Sequence, residues 1–372
     1  MMKSPSLPGA LRRIPSCVIL LSASLALLAY PAAQARPLGA QGNDFLYQVE
    51  PGDTLEALAQ RYTQNPNNWR PLQNLNQIAD PYRLAIAKIL RIPLSMIPRQ
   101  SARATVTHIH GQVTRNEKPL QVGDTVEADD ILRSGQGAAT LALEDSSLLT
   151  IPPGTEVQIR HLQTFRGTGL TDTVLNLPHG SVESLVAPND TGVGRFEIRT
   201  PATVTGVRGT RLRVHSGEAG SRHEVLHGLA AIENATSAEQ KLTQDHGTAY
   251  DGTGSLLGTE ALLPAPVLDP LGTPNASTLT WAAVPGATGY RIQLALDAVG
   301  TQLESSQLLT QTHTPLNRSG IGARYVFVRA IDRLGIEGSN AMLRIERTGG
   351  LISTDGRPVI SSDGTPIRLG HY

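Results

Sequence analysis

A strand gives way to a helix in the stretch Tyr47-Gln48-Val49-Glu50-Pro51-Gly52-Asp53-Thr54-Leu55. Phe45 to Val49 is an apolar strand candidate, and Glu50 to Asp53 is a turn. Thr54 can cap the helix that follows, because its side-chain oxygen can accept a hydrogen bond from the first turn. The spacing predicts an amphipathic helix packed on a strand, with an apolar stripe of Leu55, Leu58, Ala59 and Tyr62.

A second helix and a second strand follow this pair. Asn65 to Asn68 is a polar break, and Asp80-Pro81 closes the second helix, because proline disfavours the helical conformation in the residue before it. Ala87 to Ile92 is the returning strand, and Pro37 to Asn43, upstream of the module, is expected to be a Gly-rich spacer. The predicted order is strand, helix, helix, strand, and the second helix has an apolar stripe of Trp69, Leu72, Leu75 and Ile78.

The module contains Tyr47-x-Val49, Gly52-Asp53-Thr54-Leu55, Ala59, Tyr62, Trp69, Leu72, Asn76, Asp80-Pro81 and Leu90-x-Ile92-Pro93. This set resembles the LysM domain over residues 44–94. The resemblance implies a small α+β (βααβ) module, with a two-stranded sheet under two helices. It also implies a shallow groove that binds N-acetylglucosamine sugars of peptidoglycan or chitin.

The resemblance places this groove between the loop after the first strand and the loop before the second. The residues carried over are Gly52, Asp53, Thr54 and Leu55, facing Asn76, Gln77, Ile78, Asp80, Pro81, Leu84, Ala85 and Ile86. Apolar side chains and exposed backbone suit an N-acetyl group, which offers a methyl, an N–H and a carbonyl. For Leu55, Leu58, Leu72 and Leu75, a place in the core is the favoured interpretation. The family usually has glycine where this chain has Ala87, a position that would need a positive φ.

In residues 104–250, Gly, Asp and Pro separate short apolar runs, a pattern that is typical of an all-β domain. Its most specific motifs are Phe196-Glu197-Ile198-Arg199-Thr200-Pro201 and Val204-x-Gly206-Val207-Arg208-Gly209-Thr210. They resemble the FecR family, whose regulators carry a signal from an outer receptor to a sigma factor. Such regulators need a membrane-spanning helix and a cytosolic segment, and we expect neither in this chain after signal cleavage. We therefore carry over the fold and not the sigma-factor role, and we keep envelope signalling as an alternative function.

Two features of this region have simple structural interpretations. Gly206, Gly209 and Thr210 are expected to shape a turn between strands, with a ligand site there as a minority option. A basic cluster is expected to be a solvated strand face, with partner binding as a minority option, and consists of Arg199, Arg208, Arg211 and Arg213.

His223-Glu224-Val225-Leu226-His227 matches the H-E-x-x-H pattern of zinc peptidases, which works only on a helix. The flanking residues predict a strand, in which residues 223 and 227 would lie about 13 Å apart, too far for one tetrahedral ion. His108-x-His110 places two imidazoles on one strand face, which we expect to be partly exposed. We therefore predict no metal site, no cofactor and no catalytic residues.

The C-terminal part divides into three segments. Residues 251–265 are expected to be a linker, and residues 266–347 resemble a fibronectin type III-like β-sandwich. Its expected core residues are Trp281, Tyr290 and Tyr325, and Asp332 to Gly338 is expected to form a hairpin turn. Residues 348–372 form a tail in which the motif Asp-Gly-x-Pro occurs twice, at Asp355 and at Asp363. This repeat predicts a short hairpin.

The N-terminal residues 1–35 have the form of a secretory signal peptide. Lys3, Arg12 and Arg13 precede an apolar run, and Ala33-Gln34-Ala35 gives the small-residue cleavage pattern. The chain has 32 Lys plus Arg and 32 Asp plus Glu, so its formal net charge is zero, which disfavours a nucleic-acid-coating protein. No later segment is apolar for long enough to span a bilayer.

Together these features predict a multidomain, mainly β protein of the periplasm or cell envelope. The leading hypothesis is a non-enzymatic protein that binds peptidoglycan through its LysM module and presents its β domains to an envelope protein partner or scaffold. The alternative is an envelope signalling or sensory component that acts through the FecR-like domain. A peptidoglycan-modifying enzyme is the third hypothesis.

Overall fold

The computed structural model describes residues 37–187, 193–207, 209–234, 239–271, 278–316, 322–347, 359–362 and 367. The predicted signal peptide, Arg208 and the tail motifs at Asp355 and Asp363 lie outside the described residues. The protein is 53% strand and 8% helix, which confirms a multidomain, mainly β fold. Among the described residues, no helix is both long and apolar enough to cross a membrane.

The N-terminal region is a three-stranded antiparallel sheet with two helices. Its strands are β1 (Pro37–Gln41), β2 (Asp44–Gln48) and β3 (Ile89–Pro93), in the order β1-β2-β3. Its helices are α1 (Leu55–Thr63) and α2 (Trp69–Leu75), with 3-10 turns at Pro66–Asn68 and Leu94–Met96. The expectations of a spacer at Pro37 to Asn43 and of a two-stranded sheet are therefore wrong, because residues 37–41 pair along β2.

Aromatic and leucine side chains form the core of this region. The ring of Tyr62 lies 5.0 Å from that of Phe45 and 5.4 Å from that of Tyr47, measured between centroids. Leu55, Leu58 and Leu72 are buried as expected, but the expectation of a core position is wrong for Leu75, which is exposed at the C-terminal end of α2. The core is thus formed where the two helices meet the face of β2 and β3.

Eighteen strands follow and form two sheets that share the long strand β13. They are β4 (Arg99–Ser101), β5 (Ala104–His110), β6 (Thr114–Arg115), β7 (Lys118–Pro119), β8 (Thr125–Val126), β9 (Ile131–Arg133), β10 (Ala138–Leu143), β11 (Leu148–Ile151), β12 (Glu156–Phe165), β13 (Leu170–Leu185), β14 (Val193–Arg199), β15 (Thr203–Val207), β16 (Arg211–Gly217), β17 (Gly220–His227), β18 (Leu229–Asn234), β19 (Gln240–Thr243), β20 (His246–Tyr250) and β21 (Leu256–Ala261).

Strand β13 passes from one sheet to the other at Gly180. Its first part pairs with β12 and, in parallel, with β14, and its second part pairs with β11 and β16. Gly180 has a φ of 94°, and a Cβ there would lie 2.4 Å from the Cα of Thr155, so the position requires glycine. One continuous apolar core, from Ala102 to Tyr250, lies within this region.

The segment expected to be a linker is part of this region. β21 pairs antiparallel with β20, from His246 opposite Ala261 to Tyr250 opposite Leu256. The linker prediction for residues 251–265 is therefore wrong over residues 256–261.

The C-terminal region has two sheets over a shared core. Its strands are β22 (Thr278–Thr280), β23 (Gly289–Ala295), β24 (Leu303–Leu309), β25 (His313–Pro315), β26 (Gly322–Ile331) and β27 (Ala341–Arg347), arranged as β22-β25 and β24-β23-β26-β27. Trp281 packs edge-on against Tyr290, with ring centroids 5.4 Å apart, and both are buried as expected. Tyr325 is only half-buried. The fibronectin type III-like assignment stays a prediction.

This sandwich contacts the sheet that contains β10 and β16. The hydroxyl of Thr140 donates to the carbonyl of Thr301 at 2.5 Å, and a ring nitrogen of His108 lies 3.0 Å from the carbonyl oxygen of Leu303. His108 is therefore buried against the sandwich, not partly exposed as the sequence suggested.

A largely buried set of acidic and basic side chains, here called the charge cluster, joins the two regions. It consists of Glu183, Arg213, His215, Glu224, Arg291, Arg329 and Glu337. Arg213 is fully buried and donates to the carbonyls of Glu337 and Gly338 at 3.2 and 3.0 Å. The prediction of a solvated face is therefore wrong for Arg213, because the sandwich covers it.

Candidate functional site

The two predicted groove loops meet beside the N-terminus of α1. The backbone N–H of Leu55 lies 3.4 Å from the carbonyl of Pro81. Further along, Val49 and the turn before β3 exchange backbone hydrogen bonds, from Val49 to Lys88 and from Ala87 to Val49, both at 2.9 Å. These bonds fix the distance between the two loops.

Asp53 and Thr54 shape the first loop. One carboxylate oxygen of Asp53 accepts hydrogen bonds from the hydroxyl of Tyr47 and from the backbone N–H of Glu50, both at 2.8 Å. Burial raises the pKa of Tyr47, and the hydrogen bond to Asp53 raises it further. The hydroxyl of Thr54 accepts from the N–H of Ala57 at 3.2 Å, so it caps α1 as predicted. Both side chains hold the loop in shape.

Asn76 has a similar structural role in the second loop. Its side-chain oxygen accepts from the N–H of Arg91 at 2.7 Å, and its side-chain nitrogen donates to the carbonyl of Arg91 at 2.9 Å. The Asn76 side chain thereby pairs with the backbone N–H and carbonyl of Arg91 on the outer edge of β3, as a neighbouring strand would. Ile78 is buried, and Gln77 is exposed with a positive φ of 51°.

The most exposed part of the second loop is apolar. Asp80 accepts a hydrogen bond from the N–H of Tyr82 at 2.9 Å and so turns the chain. The side chains of Tyr82 and Ile86 are 74% and 66% exposed. Tyr82 lies inside the segment predicted to line the groove, Asp80 to Ile86, although it was not named individually. As the one aromatic residue of this segment, it was a signal that could have singled it out.

The predicted groove residues thus fall into three groups. Asp53, Thr54, Leu55, Asn76 and Ile78 support the loops or the core, and Pro81 and Leu84 are half-buried. The exposed ones are Gly52, Gln77, Asp80, Ala85 and Ile86. Together with Tyr82 they give a surface of exposed backbone with apolar side chains at one side.

Ala87 adopts the conformation that the family's glycine would adopt. Its φ is 65°, and its N–H still donates to Val49. The groove wall therefore keeps its turn, although a side chain in this left-handed region costs about 1–2 kcal/mol.

The H-E-x-x-H residues lie on β17, a strand as predicted. The two ring nitrogens of His223 are hydrogen-bonded to the hydroxyls of Thr205 and Thr203, at 2.9 and 3.0 Å. Burial lowers the pKa of His223 to about 3, so this imidazole is neutral. Glu224 is buried and accepts from the N–H of Glu337 at 3.1 Å, whereas His227 is exposed. Within the described part of the chain, no group of three or more His, Cys, Asp or Glu is placed to hold a metal ion.

Family models match two segments of the chain. The LysM domain model matches residues 47–93, and the FecR protein model matches residues 130–231. The chain carries a LysM domain followed by a FecR domain. Both matched ranges lie within the segments predicted from the sequence. The matched FecR range includes β17 and Arg213 of the charge cluster. No curated protein matches the chain significantly.

Some solved structures show weak similarity. Two crystal structures of a candidate anti-sigma factor from Parabacteroides distasonis share 14% identity with the chain and have TM-scores of 0.29 and 0.28. The match covers 35% of this chain and 57% of that protein. The extracellular domain of a candidate one-component system from B. thetaiotaomicron shares 12% identity over 58% of this chain and 35% of that one, with a TM-score of 0.16. Scores of this size support no functional inference.

Proposed function

We propose that this protein is a non-enzymatic component of the bacterial cell envelope that binds peptidoglycan through its LysM domain. LysM domains bind N-acetylglucosamine-containing glycans, which gives the ligand class. The observation that supports the site is the exposed surface formed by Gly52, Tyr82 and Ile86 on two loops held by Asp53 and Asn76. The apolar side chains can contact the N-acetyl methyl group and the sugar face, and loop backbone can hydrogen-bond the amide.

Peptidoglycan sacculi test this proposal directly. The mature chain, starting at Arg36, should co-sediment with purified sacculi. Tyr82→Ala combined with Ile86→Ala should weaken binding about tenfold, which corresponds to about 1.4 kcal/mol. Val122→Ala is the matched control, because Val122 is an apolar residue of the FecR region with a similar exposure of 61%. Equal sedimentation of the double variant and the control would contradict the proposed site.

The non-enzymatic part of the proposal is supported by the environment of the H-E-x-x-H residues. Both nitrogens of His223 and the carboxylate of Glu224 are engaged in buried contacts. Zymography on peptidoglycan and zinc analysis of the purified chain test it. Lysis of the substrate, or one bound zinc ion that His223→Ala abolishes, would overturn it.

An envelope signalling role is the second candidate, and the FecR match favours it. In this case the FecR domain would contact a specific protein partner. Covalent crosslinking in cells distinguishes the two, because a pure peptidoglycan tether should give no specific protein adduct.

A further inference from the structure

A cleft of about 720 Å³ opens between the LysM domain and the FecR region. The turn between β1 and β2, at Gly42 and Asn43, lines one side, together with Ser95. Residues of β14, β15 and β18 line the other. Its volume lies within the range of small-molecule sites, about 300–1,000 Å³. None of the predicted groove residues lines it, so it is separate from the site proposed above.

Gly206 keeps the floor of this cleft open. It lies inside β15, paired with Glu197 on one side and Ala231 on the other, not in the turn predicted from the sequence. Its φ is not positive, and a Cβ there would approach only the carbonyl oxygen of Ala231, at 4.0 Å. Glycine inside a strand costs roughly 0.5–1 kcal/mol relative to alanine. Neither the backbone nor the packing of the described residues requires glycine at this position.

Gly194, on the rim of the same cleft, shows the contrast. A Cβ at Gly194 would lie 2.7 Å from the carbonyl oxygen of Thr171, so that glycine is needed for packing. At Gly206, the effect of the missing side chain is to leave space above the sheet. Glycine inside a strand often marks a place where a ligand approaches closely.

The wall of the cleft carries fixed polar groups. Asp172 is fully buried and accepts hydrogen bonds from Nε and Nη2 of Arg195, at 2.6 and 2.9 Å. Arg99 approaches the same carboxylate at 3.4 Å, and its guanidinium lies 5.6 Å from the ring centroid of Phe165. Glu197 lies 3.7 Å from Arg195. These contacts hold donors and acceptors in place beside the cleft, with both arginines partly open to solvent.

The floor and the charges restrict what can bind. β14, β15 and β18 are each paired on both edges, so the floor offers no free backbone groups to an added peptide strand. Among the described residues that line the cleft, two arginines face three carboxylates, those of Asp172, Glu197 and Glu239, so these residues give no excess positive charge to attract an anion.

We infer that the cleft binds a neutral saccharide. Each sugar hydroxyl can both donate and accept a hydrogen bond, which suits the partly open guanidinium groups of Arg99 and Arg195 beside the partly open carboxylate of Glu197. The small residues Gly206 and Ala231 allow the apolar face of a sugar ring to approach the sheet. This inference does not rest on the LysM groove.

The test uses the mature chain with Tyr82→Ala and Ile86→Ala, here called the groove-disabled chain, in which binding at the LysM groove is expected to be about tenfold weaker. The probes are neutral tetrasaccharides of glucose, of mannose, of galactose and of N-acetylglucosamine, each titrated by calorimetry. At least one should bind, and Gly206→Val and Ala231→Val, which place methyl groups over the floor, should each weaken it at least tenfold. Gly217→Val is the matched control, because Gly217 also lies in a strand, without a positive φ, and a Cβ there meets no atom within 4 Å.

Two results would overturn the inference: no tetrasaccharide binds the groove-disabled chain, or the cleft variants bind as tightly as the Gly217→Val control. If both cleft variants fail to fold, amide shift mapping on the groove-disabled chain decides the question. Shifts centred on Gly206 and Ala231 support the inference, and shifts elsewhere refute it.

Discussion

Replacing Arg329 by methionine should destabilise the sandwich by weakening its contact with the FecR region. Arg329 is 2% exposed, and its guanidinium lies 2.7 Å from Glu183 and 2.5 Å from Glu337. Removing one partner of a buried ion pair costs about 3–5 kcal/mol, because the remaining charge is left without compensation. Arg291 still contacts Glu337 at 2.8 Å, and Arg213 lies 3.9 Å from Glu183. We therefore expect the lower end of that range, about 3 kcal/mol.

The loss of unfolding free energy in Arg329→Met should depend on pH in a defined direction. Burial raises the pKa of Glu183, but Arg329 and Arg213 lower it more, to about 2. A carboxylate with a lowered folded-state pKa stabilises the protein above its unfolded pKa, near 4.5, and this contribution is lost as the pH falls towards 2. The difference in unfolding free energy between wild type and Arg329→Met should therefore be largest above pH 4.5 and shrink below it.

Urea denaturation followed by tryptophan fluorescence measures the effect. Trp281 lies in the sandwich core, and Trp69→Phe in every variant makes Trp281 the single reporter, since the chain has 2 tryptophans. Arg344→Met is the matched control, because Arg344 belongs to the same sandwich but is 58% exposed, paired with the equally exposed Glu346. The control should change stability by less than about 0.5 kcal/mol. Equal denaturation midpoints for the two variants would refute the role assigned to the charge cluster.

Three further changes test the LysM domain and the charge cluster. Asn76→Ala removes the side-chain bonds along β3 and should cost about 2 kcal/mol; unchanged hydrogen exchange in β3 would contradict this. Ala87→Gly should stabilise the domain by about 0.5–1 kcal/mol, because glycine relieves the positive φ, and a lower melting temperature would count against it. Burial lowers the pKa of His215, but Glu224 and Glu337 raise it more, so its net shift is upward. Its contribution is full below the unfolded pKa near 6.5 and is lost as pH rises through the folded pKa. His215→Gln should thus cost more at pH 5.5 than at pH 8.5 in urea denaturation, and equal losses would exclude this role.

Local sequence signals predicted the elements of the LysM domain well but missed β1, the strand that precedes it. The cap at Thr54 and the apolar spacing of α1 are contacts between near neighbours, which a sequence shows directly. Residues 37–41 contain little that favours a strand, and their conformation comes from pairing with β2. The same is true of β21, which has Gly258 in its interior and was interpreted as a linker. Strands that depend on a neighbour for their stability are not visible in their own residues.

Contacts between distant residues explain the other errors. Arg213 lies on a strand whose pattern suggested exposure, but its hydrogen-bond partners are 124 and 125 residues further along the chain. One carboxylate oxygen of Glu224 likewise accepts a hydrogen bond from a backbone N–H 113 residues away. The sequence was sufficient to place His223 on a strand, because the residues that flank it carry that signal. It could not show that the sandwich covers this sheet.

This coverage restricts how a protein partner could bind the FecR domain. The sheet face that carries Glu183, Arg213 and Glu224 is already occupied by the sandwich. A partner that used this face would have to displace the sandwich and leave Arg213 and Glu183 without their present contacts, at a cost like that expected for Arg329→Met. The outer face of β14 and β15, beside the open cleft, can be reached without breaking any of these ion pairs. If the chain signals through a partner, a photo-crosslinker at Ala231 should therefore capture it, whereas one at the buried Gln293 should give only an internal crosslink to the FecR region.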